Sequence, residues 1–201
     1  MVRYNVFMNK KYIDTYKTYA VTITLVAINT LLFLILYIIG NPESALFMLG
    51  VGAMFPRAIT QDHEYYRLFT SMFLHFDFGH LLNNMLLLSV LGKELEPLKG
   101  KVRLIIVYVV SGVGGILVSL WINLRNQQQV VSGGASGAIF GIMGMLLGTL
   151  IKKPHALSHI SKGGVIFMVV LSLYLGFNST GVDNAAHVGG LIVGFLLGLI
   201  L

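Results

Sequence analysis

Six long stretches of this chain carry almost no charge, and short polar clusters separate them. They fall at residues 20–39, 78–92, 102–122, 135–151, 163–177 and 184–201. A helix climbs about 1.5 Å per residue, so about 20 residues cross a hydrocarbon core of about 30 Å. The second, fourth and fifth stretches fall short of that length. All four prolines (Pro42, Pro56, Pro97, Pro154) lie in the expected connections, as residues without an amide donor should. The pattern predicts an all-α polytopic membrane protein. A polar, basic segment (1–19) on the cytoplasmic side precedes a six-helix membrane domain (20–201). The connection 40–70 is too long for a turn. Its apolar middle, 45–55, reads either as an interfacial segment lying in the membrane surface or as a re-entrant or packed loop.

Composition supports the class. Of 201 residues, 56% are hydrophobic and 11% charged, where a soluble domain carries about a quarter charged. With no cysteine, disulfides, thiolate nucleophiles and zinc–cysteine sites are excluded. The formal charge of +6 does not point to nucleic acid, because the basic residues sit at the ends of the apolar stretches. With a cytoplasmic N-terminus, Arg3, Lys10, Lys11, Lys17, Lys93, Lys99, Lys101, Arg103, Lys152, Lys153 and Lys162 all fall inside. Arg57, Arg67 and Arg125 remain outside. That bias sets the orientation. No signal-peptide cleavage pattern precedes the first stretch. A multi-pass protein of the plasma membrane is the expectation.

Polar residues within the stretches carry the chemistry. A charge at the bilayer centre costs roughly 2.5–3.5 kcal/mol on insertion scales, so each polar group there calls for a partner or a task. The fourth stretch opens Gly134-Ala135-Ser136-Gly137 and continues with glycine at Gly141, Gly144 and Gly148. Taken alone this is a helix-packing face that contains a serine. In the second stretch His80 and Asn84, four apart, share a helix face. In the last, His187 stands above a small-residue stripe that includes Gly190 and Gly194. By helical rise, Ser136 lies about 24 Å above Lys152, His80 about 20 Å above Lys93 and His187 about 21 Å above Leu201. The groups therefore share a depth near the outer surface. A serine hydroxyl becomes a nucleophile when a neutral imidazole takes its proton. Asn84, His80 and the Ser136 amide are placed to donate to an oxyanion. Asp183 is expected to face the aqueous surface, which leaves a Ser136–His187 dyad.

These residues resemble the rhomboid family of intramembrane serine proteases. Three motifs carry the likeness, which extends from the first stretch to Leu201. Gly134-Ala135-Ser136-Gly137 matches the family's Gly-x-Ser-Gly segment, and Ala186-His187 followed by Gly190 and Gly194 matches its last core helix. His75, His80 and Asn84 match its second-helix spacing. The resemblance implies Ser136 as nucleophile, His187 as base and His80, Asn84 and Ser136 as the oxyanion hole. Gly134, Gly137, Phe140, His75, Arg67, Gly190 and Gly194 are supporting residues. Two positions depart from the family. Tyr66-Arg67 stands where Trp-Arg is frequent, and Phe140 stands where tyrosine often packs on the histidine. The chain resembles the minimal six-helix form, with no metal or cofactor. The substrates implied are other proteins' transmembrane helices, cut near their outer ends where they unwind. The fifth stretch is short and the residues at its outer end, Phe177-Asn178-Ser179-Thr180-Gly181, are loosely packing by composition, which predicts that this helix or this loop moves to admit substrate.

Other features rank lower. His155 and His159, four apart, lack a carboxylate to complete a metal site and read as a solvated loop. Asn29 and Ser111 are expected to cap or bridge helices, and Gly112, Gly114 and Gly115 to pack closely. A non-catalytic relative that escorts membrane helices would have lost the serine or the histidine. A transporter would place carboxylates deep in the spans, and the stretches contain none.

Overall fold

The computed structural model describes residues 17–156 and 161–201, in which the regular elements are helical. Helix α1 (Ala20–Ile39) leads into a connection built of α2 (Ala45–Gly50), α3 (Pro56–Thr60), α4 (Arg67–Thr70) and a 3-10 turn (Ser71–Phe73). Five long helices follow: α5 (Phe78–Lys99), α6 (Lys101–Arg125), α7 (Ser136–Lys152), α8 (Lys162–Phe177) and α9 (Asn184–Ile200). Arg3, Lys10, Lys11 and His159, which entered the sequence reading, lie outside the described residues.

Each apolar stretch lies in a helix. Helices α1 and α6 are long and apolar enough to cross a membrane, with mean hydropathies of 2.4 and 2.3. Helices α7, α8 and α9 are apolar but have only 17, 16 and 17 residues. One expectation fails. Pro97 is not in a connection, because α5 runs on past residue 92 to Lys99 and stops at Gly100, whose φ of 88° suits glycine. The ring sits in the last turn, where the amide it lacks would have donated back to the Lys93 carbonyl, and few residues remain to be disturbed beyond it. The extension has a purpose. Glu96, buried, accepts from Val21 N (2.9 Å), Thr22 N (2.8 Å) and Thr22 Oγ1 (2.7 Å). Those amides belong to the first turn of α1, which has no partners of its own. A carboxylate there also meets the positive end of the helix.

Helix α7 is the centre of the molecule. Thirteen of its seventeen residues are buried, as expected of a helix that is apolar on every side. Glycines let its neighbours approach. A Cβ on Gly148 would stand 2.6 Å from the Phe195 carbonyl oxygen, and one on Gly198 2.5 Å from that of Met145. Gly137 and Gly141 meet Gly190 and Gly194 still more closely, backbone on backbone. On the other flank, a Cβ on Gly115 of α6 would lie 2.5 Å from the Ala186 carbonyl oxygen. The glycine stripe of α9 is therefore spent within the chain. At the far end Lys152 Nζ donates to the last-turn carbonyl of Leu199 (2.6 Å).

Asn29 bridges as expected: Nδ2 donates to Leu25 O (2.8 Å) and to the Tyr108 hydroxyl on α6 (3.3 Å). Ser111 does not. Its buried hydroxyl has no hydrogen-bond partner, and its side chain lies where a Cβ on Gly141 would go. Of the first connection's apolar middle, Met48, Ala53 and Met54 are fully buried against the protein, while Leu46 is exposed. Helix α8 is the least embedded of the long helices, with only Val165, Val169 and Gly176 buried.

Candidate active site

The site gathers at one end of α5, α7 and α9, and begins with the segment before Ser136. Ser132 pairs with Met54 through two backbone bonds (2.8 and 3.0 Å), and Gly134 N donates to Ser71 O (2.8 Å). Gly134 has a φ of +140°, a conformation that side chains disfavour. There is no room for one either, since a Cβ would stand 2.8 Å from His80 Cε1 and Nε2 and 3.7 Å from Asn84 Nδ2. The chain then turns into α7 with Ser136, half-buried, as its first residue. No side chain caps this helix start. Its first amides remain available to an anion, with the helix dipole behind them.

Arg67 organises the first connection from inside. Its buried guanidinium donates to Leu49 O (2.7 Å) and Ala53 O (2.8 Å) and is paired with Glu64 (2.5 Å). Ser71 Oγ donates to Arg67 O (2.6 Å), so two hydrogen bonds through Ser71 connect the arginine to Gly134. The Arg67 guanidinium also lies over the Tyr66 ring, 5.4 Å from its centroid.

On α5, Asp77 caps the helix by accepting from His80 N (2.8 Å). His80 is half-buried. One turn deeper, Asn84 is buried and its Nδ2 has no hydrogen-bond partner among the described residues. An orphaned buried donor is costly, about 1–3 kcal/mol, and calls for a task. His75 lies in the connection before α5, fully buried, with neither ring nitrogen in a hydrogen bond among the described residues and its ring edge-on to His80 at 5.0 Å.

Burial, reinforced by the neighbouring His80, pushes the His75 pKa down to about 3. The folded protein therefore binds fewer protons than the unfolded chain between about pH 3 and the ordinary histidine value of 6.5. The part of the stability that His75 carries is fully present above about pH 6.5 and is lost as the pH falls toward 3, by about 1.4 kcal/mol per pH unit at most. The melting temperature is expected to drop on acidification across this window, and less steeply in His75→Gln. Equal slopes for the two proteins would show that His75 does not contribute.

His187 occupies the second turn of α9, buried, with Nδ1 unpartnered. Its ring stacks on Phe140 at 4.4 Å between centroids and 17° between planes. Phe140 lies one turn below Ser136 on α7, so the histidine is held against the serine's own helix. No hydrogen bond joins the Ser136 hydroxyl to His187 among the described residues. Resting enzymes commonly hold such pairs apart and close them only on substrate.

Asp183 does not simply face water. It is half-buried, caps α9 through Ala186 N (3.0 Å) and accepts from Ser119 Oγ (2.6 Å) and Ser132 Oγ (3.0 Å). The capping half was readable as an aspartate just before an apolar run. The hydroxyls, far away in sequence, were not. His155, from the weaker metal reading, is exposed.

Comparison with known proteins accords with this arrangement. A family model described as Rhomboid domain matches residues 62–201. "RHOMBOID-like protein 1" of Arabidopsis thaliana is 38% identical over 159 residues, 78% of this chain and 40% of that protein. "Rhomboid protease GluP" of Bacillus subtilis is 32% identical over 190 residues, 94% of this chain and 35% of that protein. "Rhomboid protease AarA" of Providencia stuartii is 33% identical over 206 residues, 90% of this chain and 72% of that protein. The chain thus spans less than half the length of the first two. With the family model covering the site-bearing helices and relatives covering most of the chain, this protein belongs to the rhomboid family.

Proposed function

We propose that this protein is an intramembrane serine endopeptidase that cuts membrane-spanning helices of other proteins near their outer ends. The observation that carries the proposal is the Phe140–His187 stack, which fastens an imidazole to the helix that begins with Ser136. Ser136 Oγ attacks the scissile carbonyl carbon and His187 accepts its proton. The negative charge that develops on the carbonyl oxygen meets the Ser136 amide, His80 and the unpartnered Nδ2 of Asn84. Preorganised donors at such an oxygen are worth about 2.7–4 kcal/mol each. His187 returns the proton to the departing amine, and water then hydrolyses the acyl-enzyme by the same route in reverse.

Six membrane crossings, in a single domain over 20–201 that follows the segment 1–19, belong to this proposal. Exposed apolar residues on the long helices, among them Ile38, Val102, Phe167, Tyr174 and Leu196, give the exterior a surface that suits lipid. Lys99 lies within electrostatic reach of Arg103, Lys152 and Lys153, at the end opposite the site. By the positive-inside bias that end is cytoplasmic, and the site opens outward at the plasma membrane.

Entry beside α8 follows from its shallow embedding. A covalent cross-link between the outer ends of α5 and α8, made through cysteines in a chain that has none, is expected to stop cleavage of a membrane-embedded substrate. Undiminished cleavage would rule out that route. The activity itself is tested with purified protein and a reporter carrying a membrane helix with small and helix-breaking residues. Cleavage is expected. Binding of the reporter without cleavage would favour a catalytically silent protein that escorts membrane helices.

A further inference from the structure

We propose that Asp183 is a positioning residue for this reaction, fixing the separation of Ser136 and His187 by tying the segment before the serine to the first turn of the histidine helix. The inference rests on the protease reading of the site. Asp183 Oδ1 accepts from Ala186 N (3.0 Å), the residue before His187, and Asp183 O accepts from His187 N (3.2 Å). Oδ2 accepts from Ser132 Oγ (3.0 Å) and from Ser119 Oγ on α6 (2.6 Å). One carboxylate thus holds α6, α9 and the serine segment together. Among the described residues, the Ser132–Asp183 bond is the only hydrogen bond between residues 131–136 and α9 with its cap.

The link reaches the reacting groups by short paths on both sides. Ser132 is anchored to Met54 by two backbone bonds and lies two residues before Gly134, which is itself tied to Ser71. On the other side, the His187 ring stacks on Phe140 and its Nδ1 has no hydrogen-bond partner among the described residues, so the backbone of α9 does much to set its place. Hydroxyl-to-carboxylate bonds are short and about twice as strong as neutral ones, which makes this a stiff joint. A misplacement of about 1 Å between reacting groups can cost about a hundredfold in rate. The carboxylate touches no reacting atom, and its effect runs entirely through spacing.

The test is steady-state cleavage of a membrane-helix reporter by the parent, Asp183→Ala, Asp183→Asn, Ser132→Ala and the Asp183→Ala/Ser132→Ala double variant, each with its melting temperature. Asp183→Ala is expected to lower kcat by about 10–100-fold while KM stays within about twofold, at a temperature where it remains folded. Asp183→Asn keeps the acceptor for Ala186 N and an amide for the two hydroxyls, and should recover most of that loss. Ser132→Ala should lower kcat less, and the double variant should be no slower than Asp183→Ala, since both remove one joint. A parent that cleaves alongside an Asp183→Ala of unchanged kcat overturns the proposal and leaves the protease reading standing. So does a loss fully accounted for by unfolding, or one that Asp183→Asn does not relieve, or losses that multiply in the double variant. A folded parent that cleaves no reporter overturns the protease reading and this inference together.

Discussion

Alanine in place of Ser136 is expected to lower cleavage of a membrane-helix reporter by roughly 10⁴-fold or more, and alanine in place of His187 by a similar factor. In the proposed mechanism the two side chains act as one unit, so the double variant should be no slower than either single one. Reporter binding should persist in all three. Ser136 is half-buried at a helix start, and losing its hydroxyl removes no hydrogen bond, so Ser136→Ala should melt where the parent does. His187→Ala removes the ring stacked on Phe140 and should melt somewhat lower. Residual cleavage above about one part in a hundred in a folded Ser136→Ala would show that another group is the nucleophile.

The second large effect is expected far from the hydroxyl. Gly194→Ala would put a methyl group against the Gly141 carbonyl, within van der Waals overlap. What it meets is the backbone of a largely buried helix, which cannot swing aside as a side chain would. Helices α7 and α9 must separate instead. Overpacking of this sort costs about 1–3 kcal/mol, and more where nothing can relax. Separation also moves His187, two turns away on the same helix, from Phe140 and Ser136. Gly194→Ala is therefore expected to lower the melting temperature and to lose at least about tenfold in kcat at temperatures where it is still folded. Gly50→Ala is the control, because a Cβ there meets nothing within 4 Å. If Gly194→Ala cleaves and melts like Gly50→Ala, the close α7–α9 contact is not what holds the site.

Much of this arrangement was legible in the residues because it obeys short-range rules. Hydropathy located the long helices and most of their ends, since burial or lipid contact of a whole helix leaves a long apolar run, but it stopped α5 at residue 92 where the helix continues to Lys99. Spacing of four placed His80 and Asn84 on one face, and the glycines of 190–198 announced a close helix contact before its partner was known. The roles of Ser136 and His187 followed from the motifs and remain a chemical proposal. What the chain concealed was pairing across distance. Ser132 and Asp183 are 51 residues apart, and Glu96 and Thr22 are 74 apart. No local pattern distinguishes an acid that joins three segments from one that faces water. Pro97 misled for a related reason: its position looked like a breaker, yet the turn it weakens carries Glu96 to the start of α1. Ser111 departs from its reading as a bridge, since its hydroxyl has no partner among the described residues and its side chain packs against Gly141.

The central claim is that a neutral imidazole on α9 activates a hydroxyl at the start of α7. An alkyl fluorophosphonate tests it without any substrate helix, because an activated serine displaces fluoride and keeps the phosphonyl group. Peptide mass analysis of the reacted protein is expected to find one adduct, on Ser136, and to find it lost in a folded His187→Ala. An adduct that forms as fast without His187, or the absence of any adduct on Ser136 in the folded parent, would contradict the account.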